Sequence, residues 1–332
     1  MSQRTNSRRF FLSGGLATVG AALACAAAGR AGRAFAAGAS REVRRVPSRV
    51  VELRSKGLLD AGEGAPEPDF KDCVLLAMML AVHEDLPPLD ALAEIYPDEP
   101  PVSVLVDARA GSLGTRRLAK LLATSFVDMG SPPETVTILD AADSDLEAGG
   151  YPLSREGEGP RCHGTEPGPG YGASSSVPGT KGAARVSKVI EGERNRLAVV
   201  GRLFAEGARM GPFVIDAALR CADAGSRAEA LSDPIFGARL LASARLGDRV
   251  GLVLGDLIEV PLGAGTERWR AGEVLAGRTV LAVERIGHTI LSNTCKARGL
   301  KAPAPHPILA AADSLDLPGA RMASIDWRKV AS

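Results

Sequence analysis

Aromatic residues are scarce, at 4% of the 332-residue chain. A surface that stacks on nucleobases or sugar rings needs more of them, so those binding classes lose their usual means. Net charge is also nearly absent: 40 Lys and Arg stand against 39 Asp and Glu, leaving +1. No global field draws the chain to nucleic acid or to an acidic membrane, and no nucleic-acid partner is expected. There is no C-x-x-C among the five cysteines, so the usual zinc and iron–sulfur spacings are missing. None of His83, His163, His288 and His306 falls in a metal-binding spacing, and no G-x-S-x-G elbow presents a serine nucleophile. Cys162-His163 has no second ligand pair nearby. No segment is long and apolar enough for a permanent membrane span of ~20 residues.

What is present begins at the amino terminus. Ser7-Arg8-Arg9-Phe10-Phe11-Leu12 is an arginine pair followed by an apolar start. An Ala/Gly-rich apolar run follows, and Ala34-Phe35-Ala36 gives a small-x-small cleavage pattern before Ala37. The three parts resemble a twin-arginine signal peptide over residues 1–36, with Arg8 and Arg9 as its recognition pair. That reading makes the twin-arginine translocase a partner during export and sets the destination as periplasmic or extracellular. The bland alternatives are a basic leader or an uncleaved anchor. Export would place Cys73, Cys162, Cys221 and Cys295 where disulfides are permitted, although four cysteines allow three pairings.

With 45% apolar residues, the remainder can bury a substantial core. Residues 37–148 and 183–330 each alternate short apolar β-branched runs with helical patterns. Such alternation predicts an α/β fold, mostly parallel sheet flanked by helices, as two lobes with a cleft. Strands are predicted at Val102–Val106, Thr135–Leu139, Leu197–Val200, Val250–Leu254, Thr279–Val283 and Met322–Ile325. Helices are predicted at Phe70–His83, Thr115–Met129, Phe213–Ala222, Ile235–Ala244, Arg268–Leu275, Arg285–Arg298 and Ile308–Leu315. Residues 149–182, rich in Gly, Pro and Ser, read as an insertion or linker between the lobes.

Four predicted strands run into carboxylates: Asp107, Asp140, Asp256 and Glu284. Ligands of open parallel sheets bind outside the carboxyl ends of the strands, so these four are the ligand or metal candidates. Together they could hold a divalent metal, which prefers oxygen donors, or serve as an acid–base pair. The alternative is that each aspartate caps the helix after it. Ser112, Gly114 and Thr115 lie in a small-residue loop at a helix start, a candidate anion-binding turn whose bland reading is simple capping.

The order of four stretches is similar to that in the uncharacterised family known as domain of unknown function 362. These are Val102-Ser103-Val104-Leu105-Val106-Asp107, Thr135 to Asp140 running on to Tyr151, Leu252 to Asp256 leading to Gly265, and Leu281 to Gly287 leading to Leu300. The resemblance spans roughly residues 45–327 and implies an exported α/β protein. It also exposes departures. The family's first strand carries a Lys and ends in Asn, where this chain has Leu105 and Asp107. Its Lys-x-His and Lys-Asn positions correspond to Phe204, Glu206, Ala218 and Leu219, and its Asp-Pro-Val-Ala-x-Asp to Thr279–Glu284. The ferredoxin-like cysteines of some relatives are absent. Either a divergent site uses the carboxylates, or the chain keeps the fold as a non-catalytic accessory to an exported redox enzyme.

Overall fold

The computed structural model describes residues 47–60, 68–96, 101–110, 112–192, 195–203, 205–206, 209–210, 213–262 and 268–332. The expected signal peptide, with Arg8 and Arg9, lies outside the described residues.

Eight strands form one sheet. They are β1 (Ser48–Arg54), β2 (Val102–Val106), β3 (Val136–Ala142), β4 (Arg161–Glu166), β5 (Arg196–Arg202), β6 (Val250–Pro261), β7 (Arg268–Gly277) and β8 (Ile325–Ala331). Their spatial order is β8-β1-β7-β6-β5-β2-β3-β4. Every neighbouring pair is parallel except the two made by β7, which is antiparallel to β1 and to β6. The fold is therefore α/β with a mostly parallel sheet. Strands from residues 37–148 and from 183–330 join in this single sheet, in place of two separate lobes.

The period-2 geometry of a strand sends alternate side chains to opposite faces, and the apolar runs fill both. Val104, Val106, Ala198, Val200, Leu252 and Leu254 enter the core shared with helices α1 (Pro68–Val82) and α2 (Leu113–Asp128). Leu105, Leu197, Val199 and Val253 point the other way. There they meet α4 (Val214–Leu219), α5 (Pro234–Leu241), α6 (Val280–Ala297) and α7 (Pro307–Ser314). The short α3 (Asp143–Ala148) follows β3. Each such Val or Leu contributes about 1.5–3 kcal/mol on burial, which explains why central strands here carry almost no polar residues. Among the described residues, no helix is long and apolar enough to cross a membrane.

Two predicted elements exchange type. Arg268–Leu275, expected as a helix, is β7, and it completes a long hairpin with β6. Thr279–Val283, expected as a strand, is the start of α6, with Thr279 at its N-cap. Short apolar runs buried on all sides look alike in sequence whichever way the backbone turns, and pairing with β6 and β1 decides for β7. Residues 149–182, expected as an insertion or linker, contribute the edge strand β4. Its sequence, Arg-Cys-His-Gly-Thr-Glu, has little of the β-branched character of the other strands.

Candidate functional site

The strand registers bring three of the four candidate carboxylates to one edge of the sheet. Val106 pairs with Val200, Leu105 with Leu139, and Asp256 with Arg202 at the end of β5. Asp107 follows β2 directly, while Asp140 sits inside β3 and Asp256 well inside β6, which runs on to Pro261. What surrounds each of them differs.

Asp140 is fully buried. Its Oδ2 accepts the Ala108 N–H at 2.7 Å and its Oδ1 the Ala141 N–H at 2.5 Å. Oδ1 also accepts Nε of Arg220, whose Nη2 reaches Asp145. Arg220 Nε stands 3.8 Å from Asp107 Oδ1. Asp107 in turn accepts Arg109 Nε at 3.1 Å and Nη2 at 3.4 Å. Arg220 is only 3% exposed and follows the last turn of α4, so one guanidinium ties together carboxylates from the β2 end, β3 and α3. Burial raises the Asp140 carboxyl above its ordinary value, while Arg220 and the two backbone N–H groups oppose that rise.

Asp256 is a separate centre. Ser112 Oγ and Thr115 Oγ1 donate to its Oδ2 at 2.7 and 2.9 Å, and the Ile258 N–H donates to Oδ1 at 3.0 Å. Ser112 also caps α2 by accepting the Thr115 N–H at 3.3 Å. A Cβ at Gly114 would stand 2.6 and 2.7 Å from the two Asp256 carboxylate oxygens, so only glycine lets the loop close over them. The loop expected to receive an anion thus holds the chain's own carboxylate, and its capping role is real as well.

Glu284 comes from a helix, α6, and not from a strand end. Fully buried, it accepts the Ile215 N–H at 3.0 Å through Oε2, at the first turn of α4, and its Oε1 has no hydrogen-bond partner. Burial, joined by the charge of Asp216, pushes its pKa up to about 8. The carboxyl is therefore held protonated at neutral pH, which is how an otherwise uncompensated buried acid survives.

Asp216 is the functional group that the sequence reading missed. Burial, then the negative charge of Asp107, raises its pKa to about 6, with Arg109, Arg220 and Arg227 opposing. His306 Nε2 lies 3.8 Å from its Oδ1. The other ring nitrogen of His306 accepts the Ile308 N–H at 3.2 Å, which places the proton of the neutral ring on Nε2, toward Asp216. Burial lowers the pKa of His306. One signal was present in the sequence: Asp216 and Arg220 are spaced i, i+4 in an otherwise apolar helix.

Asp107 and Asp140 are thus brought together around Arg220, with Asp216 beside Asp107; Asp256 and Glu284 have partners of their own. Among the described residues, no group of three or more His, Cys, Asp and Glu is placed to hold a metal ion. Both Asp140 oxygens and both Asp256 oxygens already accept strong donors. The four cysteines described are buried free thiols, and burial pushes Cys162 and Cys221 up to about 12. Chemically, the group suited to proton transfer near neutrality is Asp216, with side-chain exposure of 17% and a pKa between those of ordinary carboxyls and imidazoles. No family model matches the chain, and no curated protein matches it in sequence.

Proposed function

We propose that this chain is an exported protein, carried folded by the twin-arginine translocase to the periplasm or beyond, that binds a small polar ligand at the carboxyl edge of its parallel strands. The observation that carries the ligand reading is Asp216. It is a carboxyl raised to about 6 by burial and then by the negative charge of Asp107, facing His306, while the buried Arg220 stands 3.8 Å from Asp107. A raised, partly accessible carboxyl that faces an imidazole and lies among charged neighbours is the disposition of a working acid or base. The ligand's hydroxyl or amine hydrogens would be met by Asp107 and Asp216. Proton transfer to and from Asp216 is the chemistry to screen. Kinship with the domain-of-unknown-function-362 family belongs to the same proposal and rests on the order of the four stretches named above.

Native mass spectrometry with elemental analysis on the exported protein tests the site. A stoichiometric bound mass, lost in both Asp107→Asn and Asp216→Asn, is expected. A clean apo protein, or a ligand indifferent to both substitutions, refutes the reading. Export is tested separately: a paired Arg8→Lys, Arg9→Lys variant should stay in the cytoplasmic fraction, and normal export of that variant would remove the twin-arginine route.

A further inference from the structure

On the face of the sheet that carries α2, a groove of about 540 Å³ opens between that helix and the segment leading into β4. Its size lies in the range of small-molecule sites, ~300–1,000 Å³. The groove is built, not a gap left by a loose loop. The Ser154 and Cys162 backbones exchange hydrogen bonds of 2.7 Å in both directions, which clips residues 151–160 to the edge strand. Arg116 Nη1 donates to the carbonyls of Gly149 and Gly150 at 3.4 and 3.2 Å, tying the same segment to α2.

The floor is apolar. Ala123, Ile138, Tyr151 and Cys162 line it and are each less than 10% exposed. The rim is of one sign. Arg116 and the exposed Lys120 line it, with the buried Arg117 whose guanidinium lies over the Phe70 ring, and among the described residues no acidic residue lines it. In a chain with 39 acidic residues against 40 basic ones, that local imbalance is selective. Helical spacing explains it: Leu113, Arg116, Lys120 and Thr124 follow one another at three or four residues and share a face of α2.

We propose that this groove is a second binding site, separate from the Asp216 centre, for a small organic anion with an apolar body: a carboxylate on an aliphatic chain. The chain would lie on Ala123, Ile138 and the Tyr151 ring, and the carboxylate would sit at the Arg116–Lys120 rim. Apolar burial supplies affinity, and the cations supply the preference for an anion.

Decanoate is the probe, titrated calorimetrically into the full chain, with decanol as its uncharged counterpart. One saturable site is expected, with a negative heat-capacity change from apolar burial. Thr124→Trp, a substitution at an exposed position on the groove wall, should fill the space and weaken binding at least tenfold. Lys120→Glu should weaken it about fivefold at low salt and less at high salt, since Lys120 is solvent-exposed. Decanol should bind about fivefold more weakly than decanoate. The proposal is overturned if decanoate does not bind the wild-type chain, if either variant binds it unchanged, or if decanol binds as tightly. Circular dichroism confirms that each variant is folded, and Lys120→Glu leaves the groove's packing untouched should Thr124→Trp perturb it.

Discussion

Asp140 and Glu284 are both completely buried acids, yet the structure surrounds them differently. Asp140 receives a guanidinium and two backbone N–H groups. Glu284 receives one backbone N–H on one oxygen, none on the other, and a second carboxyl nearby. Burial raises both carboxyls; around Asp140 a guanidinium opposes the rise, whereas around Glu284 the charge of Asp216 adds to it. Burial alone thus does not decide the state of an acid: the number of donors and the sign of the neighbours do. Asp256 shows a third solution, in which two hydroxyls and a backbone N–H stand in for a cation at bonding distance.

The largest test of this contrast removes the cation. Arg220→Met should leave Asp140 and Asp145 without their guanidinium partner, Asp107 keeping Arg109, and cost about 3–5 kcal/mol in urea unfolding. Adding Asp140→Asn to that variant should recover part of the loss; if it does not, Arg220 acts by packing and not by charge.

The next test uses pH. The folded pKa of Glu284 is raised, from 4.5 to about 8. Its contribution to stability is therefore complete below about 4.5 and is lost as pH rises through about 8. Wild-type stability should fall across that window, and Glu284→Gln should flatten its upper end, being more stable than wild type at pH 9 by on the order of 4–5 kcal/mol. Asp216, raised to about 6, and Glu273, raised to about 7 by burial and then by Glu52, tilt the profile the same way at lower pH. That lower slope should persist in Glu284→Gln. Identical profiles for the two proteins would mean that Glu284 is charged in the folded state.

The smallest effect concerns Asp256. Gly114→Ala places a methyl against its carboxylate and should cost about 1–3 kcal/mol, although alanine normally favours a helix. In an Asp256→Ala background the cost should vanish. A penalty that survives there would come from the loop backbone.

Much of the fold was legible because burial on both faces leaves a plain trace. Val102–Val106 and the run after Val250 could be little else than interior strands, and α1 and α2 keep their apolar spacing throughout. The edge strand β4 was not legible, since an edge asks little of its side chains. The exchange between β7 and the start of α6 was not legible either, because pairing across the sheet overrides local pattern. At the site, the sequence singled out Asp107 and Asp140 correctly as residues of one edge. It placed Asp256 at the same edge, as the registers do, without showing its separate hydroxyl partners; it placed Glu284 there although a helix carries it, and it passed over Asp216, which stands among apolar neighbours in α4.

By itself, then, the sequence determined the class of fold, the strands at its centre and the stock of carboxylates near their ends, since hydrophobic periodicity and strand direction are local properties. Only the tertiary structure decided which carboxylate meets Arg220, which meets hydroxyls and which keeps its proton. Charge state follows from the donors packed around a group, and those donors arrive from segments far apart in the chain: Arg220 for Asp140, Ser112 for Asp256 and Ile215 for Glu284.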